Sequence, residues 1–277
     1  MTATLALKQI LPEPGWMSPT EAVELGRLAE SVQNNRFMPH PPPDSIYVGD
    51  GDYRAIGAEF LGHFVRLGRL KRHHRMLDIG CGIGRMAVPL TQYLDSENAS
   101  YDGVDPVLEG IVWCTQTITP AYPNFRFQRL DIAHPLYNPE GSLPGNQVQF
   151  GFADGSFDFI SMVSVATHLP PDEIVVYLKE VSRLLAPGGR LFLTAFAIDG
   201  RSTGQERLRF QRWREGPGWY AIEEAPLAAA GVDEAFLVEA ARDAGLAVET
   251  LSRGHWRGIE AEHYQDLLLA TKGEGGR

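Results

Sequence analysis

Ten residues constrain this 277-residue chain more than any others: 76–85, MLDIGCGIGR. An apolar strand end, Met76-Leu77, delivers an acid, Asp78, and three glycines follow at alternate positions, Gly80, Gly82 and Gly84. Glycine turns where other residues cannot and leaves room for a ligand against the main chain. Residues 85–94 are compatible with a helix, and a helix N-terminus presents free N–H groups and the positive end of its dipole. Strand, glycine turn and helix in that order describe the floor of a site for a carboxylate-bearing or phosphate-bearing cofactor.

The rest of the chain alternates as such a floor requires. Strands are expected at 75–79, 100–104, 125–130, 157–163 and 190–197, with helices at 85–94, 108–118 and 174–185 between them. The last of these helices stops at Pro187-Gly188-Gly189, a terminator and turn. Alternation of this kind argues for a parallel sheet covered by helices on both faces. Two more strands, 247–252 and 264–271, lie close enough to pair antiparallel, after a helix at 234–244 capped by Asp233. Before the glycine turn, residues 1–74 read as a helical arm. Ser18-Pro19-Thr20-Glu21 is a capping box with proline at the first helical position. Asp52 can cap a second helix with Ile56, Phe60, Phe64 and Leu67 on one face. The expected organisation is therefore an arm or substrate cover at 1–74, one α/β domain at 75–272 with an insertion at 199–231, and a tail at 273–277.

Composition narrows the partners. The net charge of −10 and the lack of a basic run beyond Lys71-Arg72-His73-His74-Arg75 speak against a nucleic-acid substrate. The two cysteines, Cys81 and Cys114, have no metal-ligand spacing, so no metal site and no disulfide framework is expected. No run approaches the ~18 apolar residues of a membrane span, and the N-terminus lacks a leader pattern. The expectation is a cytoplasmic protein with no membrane partner; the oligomeric state is not legible.

Three acids fall at the ends of successive expected strands: Asp78, Asp105 and Asp131. In an open α/β sheet that is where ligands sit. A dinucleotide site has the spacing G-x-G-x-x-G with pyrophosphate at the helix N-terminus. This chain has G-x-G-x-G, and an acid two residues before the first glycine would repel a pyrophosphate. The same acid attracts an ammonium group, and S-adenosylmethionine carries an ammonium and no phosphate. Asp105 is placed to accept the two ribose hydroxyls. Asp131 can accept from the adenine amine, with Ile132 supplying a backbone N–H.

The D-x-G-x-G-x-G run resembles motif I of the class I S-adenosylmethionine-dependent methyltransferases. YDGVDP, from Tyr101 to Pro106, resembles that family's second motif, and RLDI, from Arg129 to Ile132, its adenine-contacting segment. DGSFDFISMVSVATHL around the fourth strand and VSRLLAPGGRLFLTAF around the fifth are also similar to family segments. The resemblance implies a Rossmann-like fold: seven strands, mostly parallel, helices on both faces and an antiparallel last strand. It implies S-adenosyl-L-methionine as cofactor and S-adenosyl-L-homocysteine as product. Cofactor contacts would come from Asp78, Gly80, Cys81, Gly82, Gly84, Asp105, Pro106, Asp131 and Ile132, and from the backbone near Val163.

The acceptor is less legible. His168 follows the fourth strand and could act as a base toward an alcohol. Tyr53 on the arm and Trp213 or Trp219 in the insertion could line a substrate pocket, or pack. The fourth strand continues as Ser161-Met162-Val163-Ser164 rather than as the acid or asparagine, Pro-Pro and aromatic of members that methylate nucleic-acid bases. Together with the acidic charge, this favours a small-molecule or glycan acceptor, with O-methylation as the leading expectation. N- or C-methylation, a non-catalytic S-adenosylmethionine-binding subunit and an NAD-dependent dehydrogenase are the alternatives.

Overall fold

The computed structural model describes residues 15–47, 49, 51–201 and 204–274. Seven strands form one sheet: β1 (Arg75–Ile79), β2 (Ser100–Asp105), β3 (Phe125–Arg129), β4 (Phe157–Met162), β5 (Leu185–Ala195), β10 (Leu246–Ser252) and β11 (Asp266–Lys272). Their order is β10-β11-β5-β4-β1-β2-β3. The pairs β1–β4, β4–β5 and β2–β3 are parallel, and β11 runs antiparallel to both β5 and β10. This is the Rossmann-like sheet with one reversed strand. By its own contacts the chain divides into two compact units, one of residues up to 75 with 81–129, the other of 76–80 with 130–277.

The first unit begins with helix α1 (Pro19–Asn34), where the Ser18 hydroxyl accepts from the Glu21 N–H and the Glu21 carboxylate accepts from the Ser18 N–H at 2.8 Å. Helix α2 (Tyr53–Arg66) starts at Asp52, whose carboxylate accepts from the Ala55 N–H at 2.7 Å. Its buried residues include Tyr53, Gly57, Leu61 and Phe64; of the face expected at Ile56, Phe60, Phe64 and Leu67, only Phe64 is buried. A Cβ on Gly57 would stand 2.6 Å from the Arg85 carbonyl, so the helix lies flush there against the chain after the glycine turn. Between β2 and β3 runs helix α4 (Leu108–Thr117), and the directly opposed pair Asp102 and Arg126 closes the two strands with hydrogen bonds of 2.9 and 2.8 Å. Helix α3 is only Ala87–Leu90, shorter than expected. Beyond it the Gln92 and Tyr93 N–H groups bond three residues back, to the Pro89 and Leu90 carbonyls at 3.1 and 3.0 Å, so the chain continues as tight turns.

The second unit carries helix α5 (Pro171–Leu184), which starts earlier than expected because Pro171 suits the first helical turn. It ends at Leu184, and β5 begins at the next residue; Pro187-Gly188-Gly189 falls inside the strand, where the β4 register shifts between Phe157 and Phe159. Helix α6 (Glu234–Asp243) packs before the β10–β11 hairpin. The insertion contains a second sheet of short strands, β6 (Ala197–Ile198), β7 (Gln211–Arg212), β8 (Gly218–Tyr220) and β9 (Ala230–Asp233), in the order β6-β9-β8-β7. Strands of two to four residues are too short for an alternating pattern to show in sequence. Asp233 does not cap α6 with its side chain; its carboxylate accepts from Trp219 Nε1 at 2.8 Å and from Arg212 at 2.6 Å. Residues 275–277 of the expected tail and 1–14 of the expected arm lie outside the described residues.

Candidate active site

The glycine turn departs from helical and extended backbone throughout: Gly80, Gly82 and Gly84 have φ of +79°, +55° and +74°. A side chain at any of them would be strained. In the first unit, a Cβ on Gly84 would stand 2.9 Å from Cys114 Sγ, and one on Gly110 would stand 2.7 Å from the Gly82 carbonyl. Helix α4 therefore presses directly on the turn. Cys81 is 4 % exposed and packs against Gly103 of β2, and its N–H donates to the Val104 carbonyl at 3.1 Å.

Asp105, at the end of β2, holds this turn. Its carboxylate accepts from the Gly82 N–H at 2.8 Å and from the Val107 N–H at 2.9 Å. Burial pushes the carboxyl up to about 6, while the two N–H donors pull it down. Pro106 follows, and its carbonyl accepts from Arg129 Nε at 3.2 Å. Two arm residues reach the same place. The Tyr53 hydroxyl, on a side chain 3 % exposed, donates to the Ile83 carbonyl at 2.9 Å, so Tyr53 buttresses the turn instead of lining a pocket. The Tyr47 hydroxyl faces the Asp105 carboxylate, and burial raises this phenol far above its usual range. No sequence pattern marked Tyr47; it sits in the irregular stretch before α2.

In the second unit, Asp78 is 1 % exposed and accepts from the Ser161 hydroxyl at 2.6 Å, across the β1–β4 pair that aligns the two residues. A Cβ on Gly80 would overlap the Val165 side chain. Val163 follows the last residue of β4, and Ser164 beside it takes φ +59°, a left-handed backbone for a residue that is not glycine. The strain is held by three neighbours: Ser164 N–H donates to Thr194 Oγ1 at 2.8 Å, Ser164 Oγ meets Gln265 at 3.1 Å, and the Ser164 carbonyl accepts from Thr167 at 2.8 Å. Strain of this kind at a strand end marks functional sites. Asp131 lies two residues beyond β3, where its carboxylate accepts from Ser142 Oγ at 2.6 Å and from Asn138 Nδ2 at 3.2 Å. The Ile132 N–H is engaged by no described residue, though Ile132 is 5 % exposed.

His168 is the last residue of a 3-10 turn, Ala166–His168. Its Nδ1 lies 2.8 Å from the Leu227 carbonyl, which only a protonated Nδ1 can satisfy. Its Nε2 is therefore the bare nitrogen, and the Tyr137 hydroxyl donates to it at 3.2 Å. His134 completes the group. Its Nε2 donates to the His168 carbonyl at 2.9 Å, and its Nδ1 accepts from the Leu136 and Tyr137 N–H groups at 3.2 and 3.3 Å. Burial lowers the pKa of both imidazoles, so both are neutral at physiological pH. Sequence reading found His168 and passed over Tyr137 and His134, 31 and 34 residues away, because no local spacing links them.

Beside this group opens a cleft of about 670 Å³, lined by Pro135, Leu136, Pro170, Trp213, Tyr220 and Leu227, with Arg214, Glu223 and Glu224 among its charged residues. Trp213 belongs to it, whereas Trp219 is packed under Arg212 with its indole N–H on Asp233. Among the described residues no cluster of three or more His, Cys, Asp or Glu could hold a metal ion, and no helix is long and apolar enough to cross a membrane.

Comparison with known proteins fits this geometry. The family described as "Methyltransferase domain" matches residues 53–251. Tocopherol O-methyltransferase of Arabidopsis thaliana is 25% identical over 182 residues, covering 64% of this chain and 47% of that protein. Sterol 24-C-methyltransferase of Aspergillus fumigatus is 27% identical over 167 residues, covering 58% and 39%. The chain thus spans less than half the length of either relative. Among solved structures, the 1,6-didemethyltoxoflavin-N1-methyltransferase of Burkholderia thailandensis, with bound 1,6-didemethyltoxoflavin and S-adenosylhomocysteine, superposes with a TM-score of 0.52 at 20% identity, covering 95% of this chain and 93% of that one.

Proposed function

The chain belongs to the methyltransferase-domain family, and from that premise we propose that it transfers the methyl group of S-adenosylmethionine to a hydroxyl of a small molecule or sugar. The observation that carries the reading is the glycine turn itself: three left-handed glycines tied by an N–H to a buried carboxylate at the next strand end. The residues fit the cofactor. Asp105 has lone pairs beyond its two N–H donors for the ribose hydroxyls. The unengaged Ile132 N–H, with Asp131, suits the adenine edge. Gly80, Gly82 and Gly84, with Cys81 and Pro106 beside them, keep side chains out of the way. The backbone at Val163 and Ser164 suits the methionine part. Asp78 is buried on Ser161, so it acts on the ammonium through its charge and the turn it anchors.

S-adenosylmethionine, when bound, supplies an electrophilic methyl on a sulfonium, a good leaving group. What remains for the chain is alignment and removal of one proton. His168 is poised for the proton: Leu227 fixes its tautomer and burial keeps Nε2 bare. Because Tyr137 occupies Nε2, the route runs through the phenol. The acceptor's proton passes to the Tyr137 oxygen as the Tyr137 proton passes to Nε2, while the acceptor oxygen forms the new C–O bond.

The test is transfer from methyl-labelled S-adenosylmethionine to a panel of phenols, aliphatic alcohols, sugars and amines, with binding of S-adenosylhomocysteine measured alongside. Label in an ether product supports the reading. Label on nitrogen or carbon rejects the hydroxyl acceptor. Binding without transfer to any acceptor leaves a non-catalytic cofactor-binding subunit.

A further inference from the structure

The cleft beside His168 defines the chemical class of the acceptor. Three of its wall segments are continuous with the proton-accepting group: Pro135 and Leu136 precede Tyr137, Pro170 follows His168 by two residues, and Leu227 gives its carbonyl to His168. The first two segments follow β3 and β4 in the chain, beyond carboxyl ends of strands, where ligands of such sheets bind, and Leu227 lies between β8 and β9 of the small sheet. At about 670 Å³ the cleft is of the size that takes a small molecule rather than a polymer.

Its chemistry is one-sided. Prolines, leucines, Trp213 and Tyr220 supply flat apolar faces, and the polar side-chain groups among the lining residues are Arg212, Arg214, Glu223, Glu224, the Tyr220 hydroxyl and Trp213 Nε1. On the apolar faces a sugar would give up its hydrogen bonds to water and find partners only at Trp213 Nε1, the Tyr220 hydroxyl and the charged side chains, at a cost of roughly 1–3 kcal/mol for each group left unpaired. The charges discriminate further. Arg212 is committed to Asp233 at 2.6 Å, while Glu223 and Glu224 are exposed and have no ion pair among the described residues. With Arg214 alone to offset two carboxylates, the lining disfavours an anion.

Resting on the methyl-transfer reading, we propose that the cleft binds the acceptor and that the acceptor is a neutral, ring-bearing molecule with a hydroxyl. It lies with its ring on the faces of Trp213 and Leu136 and its hydroxyl toward Tyr137. Methyl transfer then forms the O–CH3 bond, breaks the S–CH3 bond and leaves the acceptor's proton, relayed by Tyr137, on His168.

The experiment is titration calorimetry of the full chain with 2-naphthol, 2-naphthoate and glucose as probes, with S-adenosylhomocysteine titrated separately. Wild type should bind 2-naphthol at least tenfold more tightly than either other probe. Leu136→Asp, on a side chain 46 % exposed and outside the core, and Ala225→Trp, which fills the cleft, should each weaken 2-naphthol at least tenfold and change S-adenosylhomocysteine affinity less than twofold. No 2-naphthol binding by wild type, equal binding of glucose or naphthoate, or unchanged binding in both variants overturns the proposal. Intact 2-naphthol binding with no S-adenosylhomocysteine binding rejects the methyl-transfer reading and the acceptor role with it.

Discussion

Asp105 is both the anchor of the glycine turn and the acceptor proposed for the ribose, and the two duties set its titration. Burial raises its carboxyl from 3.8 to about 6, so above that pH the folded chain carries a charge it has paid to desolvate. The folded state binds the proton more tightly than the unfolded one. This group therefore costs stability above about 6, and the cost is relieved as pH falls toward 3.8. Ligand binding has the opposite demand, because ribose hydroxyls donate best to the ionised form. S-adenosylhomocysteine affinity should fall as pH drops through about 6 in wild type, and Asp105→Asn should abolish that dependence. The variant should also bind roughly tenfold or more weakly, the equivalent of a lost charge-assisted hydrogen bond of ~1.5–3 kcal/mol. Calorimetry against pH reads both, and a pH-independent wild type would remove Asp105 from the ribose.

Tyr137 makes a second prediction at the same scale. Tyr137→Phe should lower kcat by about 100-fold, the low end of general acid–base catalysis, with S-adenosylhomocysteine affinity unchanged. His168→Gln should lower kcat as well and remove the acid limb of the pH–rate profile, which lies below 6.5 because burial lowers the imidazole. Equal kcat in wild type and Tyr137→Phe would show that the proton does not pass through the phenol.

Among the elements, β11, paired along its length with β5 and β10, is anchored at its first residue by a buried acid. Asp266, 1 % exposed, accepts from the N–H groups of Ala197 and Gly254 at 2.8 Å, from Trp256 Nε1 at 3.0 Å and from Arg257 Nε at 3.0 Å. Arg257 is itself 5 % exposed and also reaches the Ala197 carbonyl and Asp199. Removing one partner of a buried pair strands the other, at about 3–5 kcal/mol. Asp266→Ala should lower the unfolding free energy measured in urea by that amount; a change under 1 kcal/mol would mean that Asp199 alone holds Arg257. The His134 clasp between the loop after β3 and the turn after β4 has a pH sign of its own. Its folded pKa lies below the ordinary 6.5, so its contribution is present above 6.5 and is lost as pH falls below it. The protection of the Leu136 and Tyr137 N–H groups against hydrogen exchange, relative to the intrinsic rate at each pH, should fall over that window and not in His134→Gln, where it should already be low. Strand positions beside the glycine turn were legible: β1 and β2 lie where the sequence put them. The insertion's sheet was not, because its strands are held by backbone pairing and by Asp233 rather than by an alternating face.

For the whole molecule, the cofactor is the most direct test. At 100 times its Kd, S-adenosylhomocysteine should stabilise the fold by ~2.7 kcal/mol, a Tm rise of roughly 5–10 °C for a chain of this size. NADH should give none, since the turn lacks the pyrophosphate spacing; a shift with NADH alone would reject the cofactor assignment. The net charge of −10 is consistent with an acceptor that is not a nucleic acid.

The sequence alone located the strands of the main sheet, the closing strand pair, the glycine turn and the acids at the strand ends, and its family resemblance implied the reversed last strand. These are local matters: periodicity and turn residues specify backbone state within a few positions, and the chain order of strands then places Asp78 and Asp105. Only the tertiary structure decided which side chains meet. It put Ser161 on Asp78 across 83 residues, Tyr137 on His168 across 31 and Leu227 on His168 across 59, and it separated Trp213, in the cleft, from Trp219, in the packing. Such pairings follow from strand register and loop path, which no short stretch of sequence contains.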